Sequence, residues 1–226
     1  GPNCQNPTGE TLSEGRRAAR RARAANTGAG VVEDDPYALL RYRGQEVAPL
    51  ASLAVRADVV SVGSFSKTFL PGLRVGWVIA PTDVVRRMAA AKQTMDSSTG
   101  TLGQRMVLEF LARGGADAHV GRLRDLYRAK QVRARAALER EFAGTGVRWN
   151  DPEGGFYFWV TLPDGMDARA LLDVALEEGV AFVPGQAFTV DRDHRSALRF
   201  SISAPTPDRI DEGVRRLRRA FDRMRA

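Results

Sequence analysis

Gly63-Ser64-Phe65-Ser66-Lys67-Thr68-Phe69-Leu70-Pro71-Gly72-Leu73-Arg74-Val75-Gly76-Trp77 is the stretch from which the rest of the chain can be ordered. From Gly63 to Gly72 it is dense in Ser, Gly and Pro, which is loop chemistry. Asp58 to Val62 before it is a short apolar run, and Arg74 to Ala80 after it is rich in Val, Trp and Ile, so both flanks are predicted as strands. The stretch therefore sets one lysine, Lys67, in a loop between two strands, with hydroxyl residues on both sides and an arginine downstream.

Upstream, Gly1 to Gly9 has the composition of a loop, and Thr11 or Ser13 can cap a helix that runs to about Asn26. After a turn at Gly28 to Gly30, Val31 and Val32 open a strand that closes on Glu33, Asp34 and Asp35, where Pro36 breaks pairing. Downstream, Thr82 is placed to cap a helix to about Thr94, and further helices are predicted near Leu102 to Leu111 and Asp117 to Phe142. Beyond Gly144 the elements shorten: strands over Phe156 to Thr161, Ala181 to Val183 and Leu198 to Ile202, and helices over Asp167 to Glu178 and Thr206 to Arg225. This predicts an α/β first part, residues 1–115, and an interdomain helix with a small α+β domain, residues 116–226. Three strands with few covering helices make an incomplete α/β sheet, and the chain opens on Gly1 without a Met, so the first domain is expected to be truncated.

The bulk composition narrows the function classes. With 226 residues, 43% of them hydrophobic, the chain can bury a core. It has no apolar run of the roughly twenty residues that span a bilayer and no signal-peptide pattern, so no membrane partner and a cytoplasmic location are expected. Its single cysteine, Cys4, cannot form an internal disulfide. The formal charge of +7 comes from arginines in the runs Arg16 to Arg23, Arg122 to Arg140 and Arg215 to Arg225. These lie in alanine- and leucine-rich helical patterns with interspersed acids, which predicts solvated helix faces rather than a nucleic-acid surface. His119 and His194 stand alone without metal-ligand spacing, so no metal site is expected.

Four segments taken in order resemble the class I/II aminotransferases of pyridoxal-phosphate (PLP) fold type I: Asn6-Pro7-Thr8-Gly9, Val32-Glu33-Asp34-Asp35-Pro36-Tyr37, Ser64 to Trp77, and Leu198-Arg199-Phe200-Ser201. The wording Glu-Asp-Asp-Pro-Tyr and Gly-Ser-Phe-Ser-Lys-Thr looks most like the 2-aminoadipate and kynurenine aminotransferase branch, which the aminotransferase-like domains of certain transcription regulators share. The resemblance implies the C-terminal part of a fold type I large domain, a mainly parallel sheet with helices, followed by the small domain. It also implies that the family's first half, with its glycine-rich phosphate loop and ring-stacking aromatic, is absent here.

The chemistry explains why these residue types are wanted. PLP requires a lysine amine for its Schiff base, and the same amine can then move a proton between substrate Cα and cofactor C4′, which gives Lys67 both roles. The pyridine nitrogen requires a carboxylate; by resemblance this is Asp34, three positions before Tyr37, with Asp35 as the second candidate. Tyr37 and Asn6 would donate to the cofactor's phenolic oxygen. Ser64, Ser66 and Arg74 would hold its phosphate, the guanidinium binding in bidentate fashion. Arg199, on the polar side of an alternating strand, would take the substrate α-carboxylate, with Asn6 beside it. The implied reaction moves an amino group between an amino acid and a 2-oxo acid, in a homodimer by family habit. Two other readings stay open at this point: an effector-sensing domain of a transcription regulator, and another PLP reaction such as elimination or decarboxylation, since the electron sink serves them all.

Overall fold

The computed structural model describes residues 1–52, 59–190 and 194–225. Helix α1 (Glu14–Thr27) starts where the Ser13 hydroxyl accepts from the Arg16 N–H at 3.5 Å, with Glu14 in the first turn at the positive end of the helix dipole. It stops at Gly28, whose φ of 68° turns the chain left-handed and whose N–H returns to the Ala24 carbonyl. The solvated face expected of this arginine-rich run is contradicted on one side: Arg17 and Arg21, one turn apart, are only 0% and 5% exposed. The reason is visible at Arg17. Its Nε donates to the Leu12 carbonyl (2.9 Å), Nη1 to that of Ala48 (2.9 Å), and Nη2 to Pro2 O (3.3 Å) and Asn3 Oδ1 (2.6 Å), so the buried cation leaves water with an acceptor on every nitrogen.

Strand β1 (Val31–Asp34) continues this buried network. Asn3 passes its amide hydrogen to the Asp35 carboxylate, and Glu33 accepts from the Leu50 N–H (2.8 Å) and the Ser61 hydroxyl (3.3 Å). Burial, together with the charge of Glu33, pushes the Asp35 carboxyl up to about 6, against the Asn3 hydrogen bond and the Arg17 charge. Strand β2 (Val59–Ser64) runs parallel to β1, with Asp34 opposite Val62; Asp58, the expected start of β2, lies outside the described residues. Strand β3 (Gly76–Ile79) pairs antiparallel with β2, the order being β1-β2-β3. Gly63 faces Trp77 across this pair, and a Cβ on it would lie 2.2 Å from the indole, so only glycine lets the ring lie across the strand.

Helices α2 (Thr82–Met95) and α3 (Thr101–Ala112) follow. Thr82 is not the cap of α2: Pro81, with φ −52° and extended ψ, occupies that position, and Thr82 is already helical. Helix α4 (Ala116–Phe142) spans 27 residues. The chain divides into two compact units, Gly1–Asn3 with Thr11–Arg124, and Cys4–Glu10 with Asp125–Ala226, the division falling inside α4.

The second unit is built on an antiparallel sheet of β4 (Arg148–Trp149), β5 (Tyr157–Thr161), β6 (Val183–Pro184) and β7 (Ala197–Ser201), in the order β4-β5-β7-β6. The two-residue β4 escapes sequence reading because so short a run shows no alternation. In β5 and β7, Phe158, Val160, Leu198 and Phe200 are buried, while Tyr157, Trp159, Arg199 and Ser201 lie on the other face. The buried face packs with Leu138 and Phe142 of α4, with Leu171 and Ala175 of α5 (Ala168–Glu177), and with Val214, Leu217 and Phe221 of α6 (Pro207–Arg225). Asp167 caps α5, accepting from the Arg169 N–H at 2.6 Å.

Phe221, fully buried and edge-on to Phe142 at 5.6 Å, should cost about 3–5 kcal/mol when cut to alanine. Leu176→Ala, at a site 55% exposed, should stay within about 0.5 kcal/mol. Urea unfolding of both variants checks this, and similar losses would contradict the assigned core. Asp35 gives a pH signature. Its folded value near 6 lies above the ordinary 3.8, so between these values the folded chain holds a proton that the unfolded chain has released. Stability contributed by this group is therefore highest below about pH 4 and falls as pH rises toward 6, by on the order of 2 kcal/mol. Wild type minus Asp35→Asn, followed by urea unfolding from pH 4 to 7, should show that decline; a difference independent of pH would refute it.

Candidate active site

Within the first unit, the loop between β2 and β3 closes on itself. The Phe65 N–H reaches the Val75 carbonyl (3.1 Å) and the Phe69 N–H reaches that of Phe65 (2.8 Å), with Lys67 between them. Two residues on, Phe69 stacks on Phe110 of α3 with centroids 4.2 Å apart, and His119 meets both rings edge-on at 6.4 and 5.5 Å. His119 is thus a packing aromatic, and the loop is fastened to helices on the C-terminal side of the lysine. The Lys67 amine stands 6.0 Å from the centroid of the Tyr37 ring, and Tyr37 is buried in the turn that follows β1.

The hydroxyls of the loop converge. Ser64 Oγ accepts from the Ser66 N–H at 3.1 Å, and Ser66 Oγ accepts from Arg74 Nη1 at 3.2 Å. Arg74 also donates to the Pro71 carbonyl at 3.2 Å and remains exposed. Its φ of 54° and ψ of 41° put a non-glycine residue in the left-handed region, a conformation held at a cost of roughly 1 kcal/mol or more. Ser64, Ser66 and Arg74 together present hydroxyl and guanidinium donors from one loop, the donor set that a phosphate monoester requires.

Strand alternation separates the two aspartates at the end of β1. Glu33 and Asp35 point into the buried network, whereas Asp34 lies on the opposite face with Val32 and is exposed. Asp34 keeps an accessible carboxylate, and Asp35 has given its own to Asn3.

In the second unit, Asn6 and Arg199 meet: Arg199 Nη1 donates to Asn6 Oδ1. The Arg199 Cζ also lies 4.4 Å from the centroid of the Tyr157 ring and 4.9 Å from that of Phe188, and its Nε is buried with no hydrogen-bond acceptor. The structure therefore gathers Lys67, Tyr37, Ser64, Ser66, Arg74 and Asp34 in the first unit and pairs Asn6 with Arg199 in the second. Sequence reasoning misses Tyr157 and Phe188 around Arg199, and Arg17 and Asn3 behind Asp35. Strand periodicity gives a signal for Tyr157, which shares the face of Arg199; Phe188, in the 3₁₀ turn Gly185–Phe188, carries none. Among the described residues, no helix is long and apolar enough to cross a membrane, and no group of three or more His, Cys, Asp or Glu side chains could hold a metal ion.

Comparison with known proteins adds a family. Residues 2–217 match the family described as aminotransferase class I and II. The chain is 37% identical over 216 residues to aromatic-amino-acid aminotransferase 1 of Thermococcus litoralis, covering 96% of this chain and 52% of that protein. It is similar in structure to a kynurenine aminotransferase of Pyrococcus horikoshii, with a TM-score of 0.94 and 38% identity, covering 99% of this chain and 55% of that one. It is also similar to the α-aminoadipate aminotransferase LysN of Thermus thermophilus, with a TM-score of 0.93 and 37% identity, covering 99% and 58%. The chain thus spans about half the length of these relatives. These likenesses bear out the expected fold, an α/β part of the type I large domain followed by a smaller α+β part. The family match runs through the loop of Lys67, the acidic end of β1 and the Asn6–Arg199 pair, and this chain belongs to the class I and II aminotransferases.

Proposed function

We propose that the chain carries cofactor- and carboxylate-binding residues of a PLP-dependent aminotransferase, which moves an amino group between an amino acid and a 2-oxo acid. The observation that carries this reading is the single loop that sets the Lys67 amine near Tyr37 and groups Ser64, Ser66 and Arg74 as donors for a phosphate. PLP bound there supplies an electron sink for the bonds at the substrate α-carbon. The LysN structure, described as complexed with N-(5′-phosphopyridoxyl)-L-leucine, supports PLP as the group in question.

Each residue then has a task suited to its surroundings. Lys67 would hold the cofactor through its amine and would carry a proton to and from the substrate α-carbon. Asp34, the accessible acid of β1, would keep the pyridine nitrogen protonated. Tyr37 donates its hydroxyl to the phenolic oxygen. Asn6 commits its Oδ1 to Arg199, which leaves its Nδ2 hydrogens as donors and suits it to the same oxygen. Arg199 takes the α-carboxylate, with Asn6 beside it. The division into a partial PLP-binding domain, residues 1–115, and an interdomain helix with small domain, residues 116–226, remains part of this proposal. So do a homodimer, by family habit, and a cytoplasmic location, in keeping with a single cysteine that can form no internal disulfide.

Absorbance of the purified chain with added PLP tests the reading. Wild type should develop a band at the edge of the visible that shifts when an amino acid is added, and Lys67→Ala should lack it. Indistinguishable spectra for the two proteins would sink the assignment of Lys67 as the cofactor's anchor.

A further inference from the structure

Arg199 is held by an amide oxygen and two aromatic rings rather than by an acid. It stands opposite Trp159 of β5 and Val183 of β6, and no acidic side chain among the described residues pairs with it. Its partners are the Asn6 oxygen on Nη1 and the two aromatic rings. Tyr157 reaches it diagonally across the β5–β7 pair, where side chains on one face come within contact range. Phe188 comes from the turn Gly185–Phe188 and is itself held: the indole of Trp159 meets its ring at 6.1 Å and 67°, and meets His194 at 5.7 Å and 84°. Gly185 fixes the start of that turn, since a Cβ there would lie 2.5 Å from the His194 carbonyl and 2.9 Å from that of Ala197.

The geometry points to Phe188 and Tyr157 as positioning residues for Arg199: the two ring faces hold its guanidinium so that the side-on edge, Nε with the adjoining Nη2, receives the substrate carboxylate, while Asn6 holds Nη1. This rests on the reading of Arg199 as the α-carboxylate site. Three physical points support it. A buried N–H without an acceptor is costly, so the orphan Nε calls for a ligand oxygen. Ring faces attract the cation without neutralising it as a carboxylate would, which leaves the full charge for an anionic ligand. An arginine side chain has considerable rotamer freedom, and fixing its plane beforehand removes that loss from the binding step.

The test uses the full chain labelled with nitrogen-15, in which the Nε–H resonance of Arg199 is assigned by its loss in Arg199→Lys. Ring currents should displace this resonance upfield, and sodium 3-phenylpropanoate, a simple monocarboxylate, should move it on titration. Phe188→Leu keeps apolar bulk but removes the ring face; it should return the resonance toward the ordinary arginine range and weaken the carboxylate about 3- to 30-fold. Phe188→Tyr should restore both, and thermal melts of each variant show that the fold is intact. If Phe188→Leu leaves the resonance and the affinity as in wild type, packing alone explains Phe188 and the inference fails. Failure of the underlying reading looks different: the wild-type resonance would be ring-shifted yet unmoved by carboxylate, and the inference falls with it.

Discussion

The Arg17 guanidinium is fully buried, and most of the first unit's order around β1 follows from how that charge is accommodated. An unpaired cation taken out of water would cost far more than a domain's whole stability. Here three backbone carbonyls and the Asn3 side chain surround it, drawn from the segment before α1, from the loop near Ala48 and from the first residues of the chain. Each acceptor fixes a piece of backbone that has no regular secondary structure of its own. Asn3, oriented by Arg17 through its oxygen, must then point its amide hydrogens at Asp35, so the constraint passes to the residue next to Asp34.

Three consecutive acids at the end of β1 consequently live in three environments. Glu33 is buried and saturated by a backbone N–H and a hydroxyl, Asp35 is half-buried with its carboxyl pushed up to about 6, and Asp34 is exposed on the opposite face. The period-two alternation of a strand does the sorting. The network holds Glu33 and Asp35 on both sides of Asp34, whose own side chain is exposed on the opposite face.

How much of this is legible in the sequence depends on whether a residue's role is local. The loop around Lys67 is punctuated by Ser, Gly and Pro between two apolar strands, and those signals act over a few residues, so its place between β2 and β3 is readable. The alternation around Arg199 is readable for the same reason, and it puts the arginine on the polar face that β7 presents. Arg17 is not, because Asn3 and the Ala48 carbonyl lie 14 and 31 residues away in segments with no periodicity, and an arginine in an Ala-Arg helix is usually solvated. Phe188 is hidden likewise: its meaning comes from a turn that brings it beside a strand residue further along the chain. The expected α2 cap is off by one residue because Pro81 supplies a preset φ that outweighs a threonine hydroxyl.

Arg17 and Arg199 differ in how far the fold satisfies a guanidinium that it removes from water. Arg17 has acceptors on all three nitrogens, with four of its five N–H groups engaged inside the fold, and its removal would leave four acceptors stranded. Arg199 has one nitrogen engaged by an amide oxygen, one buried and empty, and its faces against aromatic rings. Such an arrangement is less stable on its own than a saturated one, since a carboxylate in place of the rings would satisfy it better. In the reading proposed for Arg199, a carboxylate would gain what the fold has left unmade, in the orientation that the rings and Asn6 impose.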